Sequence, residues 1–140
     1  MKILVIDAQG GGIGKQLVSA IKDNFVKATV TAVGTNTIAT SAMLKAGADN
    51  AATGENAVIV NTRKADIIVG PIGIVIADAL LGEITPAMAK AIAQSDAKRI
   101  LIPINHCDNI VVGVENLNIG KLIQDVIKEL KNIHSCSSCV

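Results

Sequence analysis

Aromatic residues are nearly absent from this 140-residue chain, which has one phenylalanine, no tyrosine and no tryptophan. Half of its residues are nevertheless hydrophobic (50%), so its core must be built from aliphatic side chains. Aliphatic cores are typical of parallel strands that helices bury on both faces. The composition therefore favours an α/β domain over an antiparallel sandwich.

Charge of one sign is not concentrated anywhere, and the net charge is only +1. Without a basic stripe, or aromatic rings for base stacking, nucleic acid is not expected as a partner. The apolar stretch 67–77 is shorter than the roughly 18 residues that span a bilayer, so no membrane contact is expected. The aliphatic surplus favours a homo-oligomer, most simply a homodimer.

Cysteine is also scarce, with three residues in the chain. An odd number, without a recognisable export signal, predicts reduced thiols and a cytoplasmic protein. Cys136 and Cys139 together with His134 resemble half of a zinc site, which only His106 and Cys107 could complete. We therefore expect no metal site, and we expect residues 134–140 to form a flexible tail.

Short apolar segments alternate with segments of helical periodicity along the chain. The first strand is predicted at Lys2–Asp7, and apolar residues at helical spacing follow from Ile13 to Phe25. Thr85 and Pro86 mark another helix start, as N-cap and first helical residue. Further strands are predicted at 28–33, 49–53, 66–70, 99–104 and 110–114, and further helices at 36–46, 55–64, 74–81 and 117–133.

This alternation predicts a single Rossmann-like α/β domain over residues 1–133. It should have three layers and a mostly parallel sheet of five to six strands. The strand order 3-2-1-4-5 is expected, with a flavodoxin-like order as the rival. In either order, a ligand binds beyond the carboxyl ends of the strands, where the strand order reverses.

The glycine-rich turn, residues 9–15, joins the first strand to the first helix. Its spacing misses three phosphate-binding motifs, because Lys15, Ala8 and Gln16 replace residues that those motifs require. The absence of tyrosine also excludes the Tyr-x-x-x-Lys pair of short-chain dehydrogenases. A glycine-dense turn at a helix N-terminus still presents free N–H groups to an anion, although it could serve only a tight turn and close packing. The predicted cofactor-binding residues here are Gly10, Gly11, Gly12, Ile13, Gly14 and Lys15.

Two further turns are expected at the same edge of the sheet. Thr35 and Asn36 follow the second strand, where dinucleotide sites usually place an acid for the ribose 2′-hydroxyl. No acidic residue occurs between Asp23 and Asp49. Thr35 and Asn36 therefore either hold a second phosphate or merely cap a helix. The turn after the fourth strand adds the predicted binding residues Gly70, Pro71 and Gly73, with a plain turn as the alternative.

Candidate catalytic groups are few and weak. His106 and Cys107 follow the fifth predicted strand and offer an acid–base group and a nucleophile. Asp7 ends the first strand and could bond either a ligand or the glycine-rich turn. Asp78 and Glu83 are expected to be ordinary solvated or capping carboxylates.

Six segments distributed over nearly the whole chain together resemble one known family. They are residues 7–15, 34–36, 38–47, 52–56, 68–76 and 81–86. They resemble small bacterial cytoplasmic proteins catalogued as domain of unknown function 3842. The resemblance implies a short, Rossmann-like protein of unestablished activity, and it supplies no catalytic residues.

Taken together, these features predict a cytoplasmic protein that binds a nucleotide or dinucleotide phosphate at the glycine-rich turn. NAD and NADP are the cofactor candidates. The alternative is a non-catalytic sensor or regulatory homo-oligomer that binds a small anionic metabolite, since the ribose acid is missing. A magnesium-dependent nucleotide hydrolase ranks third, because Gln16 replaces the residue that would hold magnesium. The sequence does not decide whether the protein is an enzyme.

Overall fold

A computed structural model describes residues 1–104, 108–114 and 118–137. Within these ranges, the strands are β1 (Lys2–Asp7), β2 (Thr29–Gly34), β3 (Asn50–Thr53), β4 (Ile67–Pro71) and β5 (Lys98–Ile102). The helices are α1 (Gly12–Asn24), α2 (Thr37–Lys45), α3 (Glu55–Thr62), α4 (Pro86–Gln94) and α5 (Ile119–Ser137). One 3₁₀ turn, Ile72–Val75, follows β4.

The five strands form one parallel sheet in the order β3-β2-β1-β4-β5. This order confirms the expected 3-2-1-4-5 arrangement, and the flavodoxin-like rival is wrong. The order reverses between β1 and β4, because β2 lies on one side of β1 and β4 on the other. A crevice at the carboxyl ends of these strands is therefore the expected place for a ligand.

Helices cover the sheet on both faces, and β1 divides the core between them. Ile3 and Val5 pack with residues of α1, α2 and α5 in one buried cluster. Leu4 and Ile6 point the other way and pack with residues of α3 and α4 in the second cluster. Alternate residues of a strand face opposite sides of the sheet, so a continuous apolar run can serve two cores.

The predicted helix at 74–81 is wrong. After the 3₁₀ turn the chain forms a folded loop, closed by the Asp78 N–H donating to the Ile84 carbonyl oxygen (2.8 Å) and the Ile84 N–H donating to Ala79 (3.2 Å). Asp78, Leu80 and Leu81 have left-handed φ values of 63°, 56° and 58°. A run that is apolar throughout can be buried by a loop as well as by a helix, so its periodicity did not discriminate.

The predicted sixth strand at 110–114 is also wrong, because these residues form a turn. Asp108 and Gly113 have φ values of 62° and 87°, which interrupt an extended backbone. Ile110 and Val112 are 90% and 93% exposed. Their alternation resembles that of a strand, but they bury almost nothing against the sheet.

The last helix, α5, begins later and ends later than the predicted 117–133. The Asn118 side chain accepts a hydrogen bond from the Lys121 N–H (3.0 Å), which sets the start. Beyond Ile133, where the apolar pattern ends, the helix continues through residues 134–137, the first part of the predicted tail. Exposed Cys136 therefore lies on a helix, whereas Cys139 is outside the described residues. No helix in the described ranges is long and apolar enough to cross a membrane.

Candidate functional site

The glycine-rich turn is closed from below by the side chain of Asp7, the last residue of β1. Its Oδ1 accepts the Ala8 N–H (2.8 Å) and its Oδ2 accepts the Gly14 N–H (2.7 Å). Burial raises the pKa of Asp7 above its ordinary value, and the nearby charge of Glu83 raises this pKa further. Hydrogen bonds from the N–H groups of Gly14, Ala8 and Ile13 lower the pKa, but by less. The N–H groups of Ile13 and Gly14, which were expected to face a ligand, thus bind this carboxylate.

Two glycines of the turn are required by packing. Gly11 has φ 70°, and a Cβ there would lie 2.7 Å from the Ala39 Cα atom of α2. A Cβ on Gly14 would lie 2.8 Å from the Asp7 Cβ atom. At Gly11 and Gly14 the structure therefore agrees with the alternative that these glycines serve a tight turn and close packing.

Gly10 and Gly12 differ from their neighbours because a Cβ on either would meet no atom within 4 Å. None of the described residues accepts a hydrogen bond from their N–H groups. A cavity of about 260 Å³ covers this part of the turn, lined by residues 7–13 together with Gln16, Leu80 and Ile119. Two donors at the positive end of α1 therefore remain available for an anion.

The glutamate of the loop after β4 reaches the turn from the side. Glu83 Oε1 accepts hydrogen bonds from the Thr35 hydroxyl (2.9 Å) and the Asn36 amide (2.6 Å). The Gln9 N–H points between its two oxygens, at 3.2 Å from Oε1 and 3.1 Å from Oε2. The expectation that Glu83 is an ordinary solvated or capping carboxylate is therefore wrong.

Those donors also decide the charge of Glu83. Partial burial disfavours its ionised form, but the hydrogen bonds from Asn36, Thr35 and Gln9 outweigh that effect and hold its pKa below the ordinary value. Glu83 is consequently ionised at neutral pH.

Asn36 joins the second turn to the first. Its Oδ1 accepts the Ala39 N–H (2.9 Å), which caps α2, and its amide also donates to the Gln9 carbonyl oxygen (2.9 Å). The cap interpretation of Asn36 is correct, and the same side chain also binds Glu83. Sequence reasoning missed Glu83 because no spacing rule links it to β2. The absence of an acidic residue directly after β2 was the one feature of the sequence that pointed to an acid from elsewhere in the chain.

The structure brings Asp7, Gly10–Gly14, Thr35 and Asn36 together, but not every predicted residue. Lys15 is exposed and lines a separate groove of about 660 Å³ between α1 and α2. Gly70 is buried, and a Cβ there would lie 2.5 Å from the Ile6 carbonyl oxygen, so this glycine permits close approach of β1 and β4. Pro71 and Gly73 are also buried, and neither lines the 260 Å³ cavity. His106 and Cys107 lie outside the described residues.

Comparison with known proteins places the chain in a wider group. The family described as Domain of unknown function (DUF3842) matches residues 2–135, nearly the whole chain, which confirms the resemblance. No curated protein matches it. Among solved structures, the chain is similar to a dodecameric FMN-dependent Ubix-like decarboxylase from Escherichia coli O157:H7, with 16% identity and a TM-score of 0.45 over 91% of this chain and 76% of that one. A likeness at this level says nothing of what this chain binds.

Proposed function

We propose that this chain, which belongs to the family DUF3842, binds the phosphate group of a small metabolite or nucleotide at the glycine-rich turn. One observation carries the proposal: Gly10 and Gly12 line a cavity, and their N–H groups have no acceptor among the described residues. Peptide N–H groups in the first turn of a helix attract anions through hydrogen bonds and the helix dipole.

The size of the cavity bears on the ligand. Its volume of about 260 Å³ is slightly below the range of about 300–1,000 Å³ typical of sites that enclose a drug-sized molecule. The cavity therefore suits a phosphate and the atoms next to it, with the rest of a larger ligand outside. This favours a mononucleotide or a small phosphometabolite over a fully enclosed dinucleotide such as NAD or NADP.

The proposal covers binding and assigns no catalytic step. Asp7 is buried and held by backbone donors, so its carboxylate serves the turn. A non-catalytic sensor that responds to a small anionic metabolite is the second candidate, and the modest cavity favours it. We also propose a cytoplasmic location and a homo-oligomer. The homo-oligomer is proposed because the apolar residues Leu81, Ile110 and Val112 are 97%, 90% and 93% exposed.

Replacement of Gly12 by leucine tests the binding site directly. A side chain at this position would extend into open space, so the fold should tolerate it while the cavity is filled. We expect Gly12→Leu to weaken binding of adenosine monophosphate at least tenfold in titration calorimetry. Thermal stabilisation by the nucleotide should fall accordingly.

Ser19→Leu is the matched control for this experiment. Ser19 is exposed on α1, two turns beyond Gly12, so the control adds the same side chain to the same helix away from the cavity. Equal affinity of Gly12→Leu and Ser19→Leu would contradict the proposal. An absence of binding by adenosine monophosphate, ribose 5-phosphate and inorganic phosphate to the unmodified protein would do the same.

A further inference from the structure

We infer that Glu83 binds a sugar hydroxyl of the ligand, so that the site takes a phosphate ester carrying vicinal hydroxyls. This inference rests on the proposed function, because it needs the phosphate to lie at Gly10 and Gly12. It names the chemical class that Glu83 selects, which is a ribonucleotide or a sugar phosphate.

The position of Glu83 supports the inference first. In parallel βαβ sites that hold a ribosyl phosphate, the phosphate lies at the first helix and an acid at the end of the second strand accepts the ribose hydroxyls. This chain has no acid at the end of β2. The Glu83 carboxylate reaches that place from a different loop, bound to Thr35 and Asn36 directly after β2.

The unused acceptor capacity of Glu83 supports it next. Oε1 accepts short hydrogen bonds from Thr35 and Asn36, whereas the Gln9 N–H, at 3.1 Å, is the one described donor to Oε2. A carboxylate oxygen can accept two hydrogen bonds, so Oε2 has room for one more donor. Glu83 is not among the residues that line the 260 Å³ cavity, but it is only half-buried, so its side chain is not enclosed by protein.

Gln9 connects the two parts of the site. Its N–H donates to Glu83, it lines the cavity, and it immediately precedes Gly10. A phosphate at Gly10 and Gly12 thus lies one residue along the chain from the group that binds Glu83.

Charge gives the arrangement its selectivity. A fixed carboxylate next to an anion site repels a bare anion and so weakens its binding. A ligand that presents a hydroxyl donor to the carboxylate recovers this binding free energy. Glu83 should therefore discriminate against inorganic phosphate and deoxygenated sugars. A purely structural role, in which Glu83 only ties its loop to the turns after β1 and β2, would produce no such discrimination.

The test uses matched ligands on the unmodified protein, so it depends on no variant. Calorimetry would compare adenosine monophosphate with its 2′,3′-dideoxy analogue, and ribose 5-phosphate with 2-deoxyribose 5-phosphate. A hydrogen bond to a charged group corresponds to a preference of about tenfold to a hundredfold, and we expect each hydroxylated ligand to win by that factor. A preference for adenosine monophosphate over its dideoxy analogue, without a preference for ribose 5-phosphate, indicates that the site takes a nucleotide. A preference for ribose 5-phosphate over its 2-deoxy analogue indicates that the sugar phosphate itself is recognised.

Glu83→Gln should abolish the preference while phosphate esters still bind, and Asp78→Asn, an exposed change in the same loop, should leave it intact. Equal binding of hydroxylated and deoxygenated ligands to the unmodified protein overturns this inference and leaves the proposed function standing. If neither the four phosphate esters nor inorganic phosphate binds, the proposed function fails, and this inference fails with it.

Discussion

Asp7 and Glu83 show how two carboxylates beside one turn acquire opposite properties from their surroundings. Asp7 is 5% exposed, and burial raises its pKa despite its backbone donors. Glu83 is half-buried and receives more from its three donors than it loses by desolvation, so its pKa is lowered. A carboxylate can thus brace a turn or offer a charge to a ligand, and only the three-dimensional contacts distinguish the two roles.

Asp7→Asn should destabilise the protein by about 1–3 kcal/mol at neutral pH, because asparagine offers one acceptor oxygen to two buried N–H groups. The difference should depend on pH. A raised folded-state pKa favours folding below the ordinary value of 3.8, and this contribution is lost as pH rises through the folded-state value. The difference in unfolding free energy between the natural protein and Asp7→Asn should therefore narrow as pH rises from 3.8 through the folded-state pKa.

Urea unfolding at several pH values measures this difference. Asp23→Asn, at an exposed position near the end of α1, is the control and should stay within about 0.5 kcal/mol of the natural protein. A gap that widens with rising pH would refute the assignment of Asp7 as a carboxyl group with a raised pKa.

At the scale of elements, the two side-chain caps of α2 and α4 should differ in strength. The Thr85 hydroxyl accepts one bond, from the Met88 N–H (3.1 Å), so Thr85→Ala should cost about 1 kcal/mol. Asn36 caps α2 and also donates to Gln9 and Glu83, so Asn36→Ala should cost roughly twice as much. Urea denaturation of both variants measures this, and equal costs would show that the extra bonds contribute little.

The elements also show what could be predicted from the sequence. Strands buried on both faces have continuous apolar runs, and Thr85 with Pro86 marks the start of α4, so the strand order and most boundaries followed. The loop after β4 did not follow, because a uniformly apolar run fits a helix and a folded loop equally well. The glycine-rich turn was recognisable from its composition. The contact of Glu83 with Thr35 joins residues 48 positions apart, and no local pattern encodes it.

At the scale of the whole molecule, exposed aliphatic side chains bear on assembly. We expect light scattering to give a mass that is a multiple of the 14.4 kDa chain. Leu81→Ser should shift the protein toward the monomer if a second copy covers this 97% exposed side chain. Val26→Ser, at another exposed position before β2, is the control. A monomer at all concentrations would refute the proposed homo-oligomer.

The loop that carries Glu83 has a consequence for the motions of the molecule. Three of its residues hold left-handed conformations that cost of order 1 kcal/mol or more each, and the Glu83 contacts help to hold them there. When the Glu83 contacts break, the backbone of these residues can relax to more favourable angles. Closing of the loop is then slowed, because the left-handed conformations must be restored. Amide hydrogen exchange should therefore show Gln9, Asp78 and Ile84 opening together as one cooperative unit, and a bound ligand should protect all three alike.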